Sequence, residues 1–172
     1  MKRAAIFGFL TAVLLGNLVL ALRQPKTTSA PPDPTDTRPA AERLASRKVS
    51  SYSELTEQAA AAGLGISRRF VGTVESIERI DDHDVTMAGW LGDIDGDGTP
   101  LNVVVFVAGN AAGMARTQGE RPDLTNKTRF TFGAEKNIDF RVRFSCRTGD
   151  QPIVAGLGPK ERYIPLASPR CP

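Results

Sequence analysis

IDFRVRFSC, residues 138–146, decides the fold class. Ile138, Phe140, Val142, Phe144 and Cys146 point one way, and Asp139, Arg141, Arg143 and Ser145 the other, as successive side chains on a strand do. One apolar and one polar face mark an antiparallel strand with a single wet side. The neighbouring stretches agree. TRFTF, residues 128–132, alternates Phe130 and Phe132 with Arg129 and Thr131. LNVVVFVAG, residues 101–109, is apolar on both faces, as a central strand covered twice would be. FVGTVESIERI (70–80) and VTMAGW (85–90) read as two more strands, joined by the turn DDHD. Residues 114–118 form a short strand, and PIVAGLG and RYIPL supply one or two others. Short strands between turn residues, with little helix, predict an all-β fold, an antiparallel sandwich.

The N-terminus is built differently. Met1-Lys2-Arg3 precedes AAIFGFLTAVLLGNLVLAL, residues 4–22, which is apolar except at Thr11 and Asn17. A basic start followed by an apolar run directs a chain to export. The run exceeds the usual signal-peptide core and approaches the length that spans a bilayer. Residues 1–22 are therefore read as a signal-anchor, with cleavage near Ala21 as the alternative. RQPKTTSAPPDPTDTRPA, residues 23–40, has nothing to pack and reads as an extended tether. Residues 41–66 read as a partly helical linker, with Ser51 and Glu54 as a capping box and Gly63 and Gly65 as the stop, and with a helix docked on the domain or on a partner as the alternative. The β domain proper is expected over 67–172. It lies outside the cytoplasm, as a single-pass inner-membrane protein facing the periplasm or exterior, or as a secreted product.

The cysteines fit that placement. Two cysteines in an exported domain usually form a bridge. A Cys146–Cys171 disulfide would staple the tail ASPRCP to the end of the decisive strand and stabilise the fold by about 3 kcal/mol.

Among candidate sites, Asp93, Asp95 and Asp97 in GDIDGDG match the first half of a calcium loop, with a Gly at position six. Position nine is Leu101 and position twelve is Val104, so half the shell is missing, and Asp-Gly pairs also make hairpin turns. The stretch is read as a turn, with calcium as the only cofactor in view. Asp81-Asp82-His83-Asp84 holds the single His and reads as a solvated turn. Trp90 offers either a core side chain or a stacking platform for a sugar. Arg129, Arg141 and Arg143 would form an exposed stripe suited to carboxylates or phosphates if their strands pair.

Gly72-x-Val74, Gly89-Trp90-x-x-Asp93, the run 103–107 followed by Gly109, Arg121-Pro-Asp-Leu124, and Phe130 with Phe132 together resemble a small sandwich module. Such modules recur in exported and glycan-related bacterial proteins. The resemblance covers residues 70–145, and where the module has Gly-Phe this chain has Arg129-Phe130. It implies an immunoglobulin-like fold and a recognition or spacer role without catalysis.

The net charge of +3 is spread among interspersed acids and bases, which argues against a nucleic-acid binder. No nucleophile elbow, phosphate loop or metalloprotease helix is present. The chain is expected to be a non-catalytic, membrane-tethered envelope module that binds a partner protein or a glycan. Its alternatives are a structural spacer or accessory subunit and, ranked last, a small enzyme.

Overall fold

The computed structural model describes residues 36–94, 96–127 and 136–172. Two sheets pack face to face. Nine strands build them: β1 (Gly65–Ile66), β2 (Phe70–Arg79), β3 (Asp84–Asp93), β4 (Asn102–Val107), β5 (Asn110–Arg116), β6 (Gln118–Glu120), β7 (Lys136–Ser145), β8 (Ile153–Gly158) and β9 (Arg162–Leu166). The five-stranded sheet runs β1-β9-β8-β4-β5, and the four-stranded sheet runs β2-β3-β7-β6.

The alternation read in residues 138–146 is the alternation of β7. Phe140, Val142, Phe144 and Cys146 enter the core between the sheets with Val85, Met87 and Leu91 of β3. Ile138 instead joins a smaller cluster with Trp90. β4 is covered twice, as its composition requires: Val103 and Val105 face the sandwich core, while Val104 and Phe106 face the other way. The sheets approach closely at glycines. A Cβ on Gly156 would lie 2.6 Å from Leu91 Cδ2, and one on Gly113 would lie 2.7 Å from Val142 Cγ2.

What covers the outer face of β4 corrects the reading of residues 41–66 as a linker. Helices α1 (Ala40–Ala45) and α2 (Tyr52–Ala61) pack there, and Leu44, Val49, Leu55 and Ala59 are fully buried against Val104, Phe106, Ala155, Leu157 and Tyr163. Burying a leucine stabilises by about 1.5–3 kcal/mol, which outweighs the weak intrinsic stability of so short a helix. The Ser51 cap read from sequence is present, Ser51 Oγ accepting from Glu54 N at 3.1 Å, while the Glu54 carboxylate accepts from Ser50 N at 2.6 Å, one residue before the N-cap. Gly63, at φ 78°, closes α2, with Leu64 N donating to Ala59 O at 2.8 Å.

From α2 the chain runs directly into β1, which pairs with β9 in parallel. That pair departs from an all-antiparallel sandwich. Its cause is local: the chain leaves α2 beside β9 and must still cross to the other sheet. Ser67 Oγ accepts from the backbone N–H of both Arg69 and Phe70 at 3.2 Å, fixing that crossing. On the opposite side, the single strand expected over 114–118 is two strands, β5 and β6, one in each sheet. Thr117 marks the switch. It is 1 % exposed, its N donates to Leu101 O, and its Oγ1 accepts from Leu101 N.

The Cys146–Cys171 disulfide is formed, with the two Cα atoms 6.3 Å apart. It places the domain in an oxidising, extracytoplasmic setting. The apolar segment 1–22, most of the tether, and the expected strand 128–132 lie outside the described residues. Among the described residues no helix is long and apolar enough to cross a membrane.

Candidate functional site

The candidate residues fall in three places. The first is the outer face of the four-stranded sheet, where Trp90 is 8 % exposed. It packs with Leu124 and Ile138, and Val71 leans on the group. Leu124 belongs to a short helix, α3 (Pro122–Lys127), laid over the sheet. Arg121 pins that helix. Its Nε and Nη2 reach the two oxygens of Asp123 at 2.8 and 3.0 Å; Nη1 and Nη2 reach Glu75 at 3.0 and 3.1 Å; Nη1 also lies 3.3 Å from Asp139. Bonds to Asp123 and Glu75 drive the Arg121 pKa upward. The Arg-x-Asp-Leu stretch is thus a clamp: Arg121 gathers carboxylates from two strands and its own helix, and Leu124 covers Trp90. The indole offers no open stacking platform.

The second place is the end of the same sheet. Arg143 does not stand free. Its Nε donates to Asp84 Oδ2 at 2.8 Å, and Nη2 lies 3.4 Å from Asp81. Ser145 Oγ donates to Asp84 Oδ1 at 2.8 Å. These bonds from Ser145 and Arg143 hold the Asp84 carboxyl below its ordinary range. Backbone N–H groups of His83 and Asp84 do the same for Asp81. Arg141 points outward, two residues along β7, and its side chain makes no hydrogen bond or ion pair among the described residues. Arg129 lies outside the described residues, so the three-membered stripe is reduced here to one paired and one unpaired arginine. His83 borders an open hollow of about 450 Å³ together with Ser145. The Ser145 hydroxyl is spent on Asp84, so Ser145 and His83 do not make a nucleophile–base pair.

The third place was not legible as a motif. It is an open cleft of about 720 Å³ at the other end of the sandwich. Three separated stretches line it: the crossing from β1 to β2, the loop after β3, and the turn from β8 to β9. Its described lining holds four cations, Arg68, Arg69, Lys160 and Arg162, against Asp93 and Asp97. Arg69 Nε donates to Asp93 Oδ1 at 3.2 Å. The side chains of Arg68 and Lys160 are exposed and make no hydrogen bond or ion pair among the described residues. The Arg162 guanidinium lies over Gly65, where a Cβ would stand 2.7 Å from its Nη1, and its one hydrogen bond is a 3.5 Å contact to Ile66 O.

The Asp-rich loop therefore forms one wall of this cleft. Asp93 O accepts from Gly96 N at 3.0 Å, and Asp97 Oδ1 accepts from both the N–H and the hydroxyl of Thr99, which lowers the Asp97 pKa. These are turn bonds. Asp95 lies outside the described residues, and among those described no group of three or more His, Cys, Asp or Glu side chains is placed to hold a metal ion. Leu101 and Val104, at the ninth and twelfth loop positions, are buried.

Compared with known proteins, the chain matches no family model, no curated protein and no solved structure.

Proposed function

We propose that this chain is a non-catalytic, membrane-tethered envelope module that holds an anionic partner in the cleft at the β8–β9 end. The observation that carries the reading is the gathering of exposed cations, two of them without partners among the described residues, around one concave surface. Arg43, Arg121 and Arg143 are each tied to a carboxylate, and a cation without a partner such as Arg141 stands on an outer sheet face away from the cleft. In the cleft, Arg68 and Lys160 are left to solvent, and Arg162 has a single long contact. Unpaired guanidinium and ammonium groups beside a concave surface are suited to carboxylate or phosphate groups.

The strand order supports an immunoglobulin-like class. β2-β3-β7-β6 follows the A-B-E-D order of such sandwiches, and β9-β8-β4-β5 the G-F-C order with one added strand. The additions here are β1 and the two helices, which cover the outer face of the second sheet. That leaves loops and ends for recognition. The disulfide and the basic-apolar N-terminus support the extracytoplasmic, tethered placement.

The test is retention of the full chain, in detergent, on immobilised acidic ligands over a salt series. Binding that weakens with salt and is abolished in Arg68→Glu with Lys160→Glu is expected. Retention that ignores both changes, or none at all, would overturn the reading and favour a spacer or accessory subunit.

A further inference from the structure

The cleft offers more than positive charge, and its three kinds of surface narrow the ligand. Arg68 and Lys160, from separate elements, supply charged donors without partners among the described residues. Asp97 supplies the opposite group. Its Oδ1 is occupied by Thr99, while Oδ2 has no hydrogen-bond partner among the described residues. Because Thr99 keeps this carboxyl ionised, it acts only as an acceptor. Ile66, 54 % exposed on the cleft wall, supplies an apolar patch.

A ligand satisfying all three needs an anionic group for the cations, a donor for Asp97, and a C–H face for Ile66. Inorganic phosphate lacks the apolar face, and a phosphate-rich chain brings dense negative charge against Asp97 and Asp93. A sugar ring bearing a carboxylate has all three within one unit: the acid, hydroxyl donors, and an axial C–H surface. The volume of about 720 Å³ falls within the range of small-ligand sites.

We propose that the cleft binds a carboxylated sugar, with Arg68 and Lys160 holding the carboxylate, Asp97 accepting from a ring hydroxyl, and Ile66 against the ring. This rests on the preceding reading of the cleft as the binding site, and it names the ligand class.

The experiment is calorimetry on the full chain in detergent micelles with four probes: a galacturonic acid tetramer, neutral maltotetraose, a tetraglutamate peptide and inorganic phosphate. The galacturonate tetramer is expected to bind at least about tenfold more tightly than the other three, a difference of about 1.4 kcal/mol. Arg68→Ala with Lys160→Ala should cost at least about tenfold, the scale of one charge-assisted hydrogen bond. Asp97→Asn should weaken the sugar while leaving tetraglutamate unchanged or stronger. Lys48→Ala, an exposed charge outside the cleft, should change nothing. Unchanged melting temperatures would show that the variants fold. Tetraglutamate binding as tightly as the sugar, with the same dependence on Arg68 and Lys160, overturns the sugar class and leaves the interaction module standing. Tight phosphate binding with that dependence does likewise. If none of the acidic probes binds, or the cleft variants have no effect, both readings fall.

Discussion

Arg121 and Arg68 are the same residue type left in opposite states. Arg121 sits among three carboxylates, with its side chain 19 % exposed, and holds α3 over Trp90. Arg68 stands exposed on a corner between two sheets with no partner among the described residues. In the first region every bonding direction of the guanidinium is spent inside the fold, so its loss should be felt as instability. In the second none is, so its loss should be felt only as binding. Pairing state, rather than charge count, is what distinguishes these two arginines.

Four substitutions test this difference. The largest effect is expected for Leu124→Ala, which uncovers Trp90 and should cost about 2–3 kcal/mol as a large-to-small change in a buried site. Urea unfolding followed by the fluorescence of Trp90, the chain's only tryptophan, reads both the loss and a red shift in the native emission. Arg121→Ala comes next, at about 2 kcal/mol, because three carboxylates then face one another without their cation. A loss below about 0.5 kcal/mol would mean that the clamp is a surface ornament.

The Asp84–Arg143–Ser145 group lies between the two extremes and is probed by pH. The folded-state pKa of Asp84 is depressed, so its contribution is present above the ordinary aspartate value of about 3.9 and is lost as pH falls through the lower folded value. Asp84→Asn should therefore melt below the parent at neutral pH, and the gap should close in acid. A constant gap would assign the effect to packing. Smallest of all, Arg68→Ala with Lys160→Ala should leave stability within about 0.5 kcal/mol of the parent, as exposed substitutions do. A larger loss would place these two side chains on the structural side of the comparison.

The sandwich was legible because its signal is local. The period of two in residues 138–146 and the twice-covered run at β4 both need only a short window of sequence. The docking of residues 40–61 was legible only as the weaker of two readings. The apolar positions of α2 are few and mostly alanine, and their partners, Ala155, Leu157 and Tyr163, come about a hundred residues later. The split of one expected strand into β5 and β6 turns on Thr117 and Leu101, sixteen positions apart. Arg121-Pro-Asp-Leu124 stood out as a pattern, yet its role as a clamp depends on Glu75 and Asp139, which nothing in the pattern names. The cleft escaped altogether. Its walls come from three short stretches, and a cation's lack of a partner is a property of the folded chain alone.

Arg43 carries a last consequence. From α1, its Nη2 reaches Glu161 Oε1 at 2.6 Å. Glu161 shares the β8–β9 turn with Lys160, and both hold positive φ. One ion pair thus joins the first helix of the domain to the rim of the cleft, two places more than a hundred residues apart in the chain.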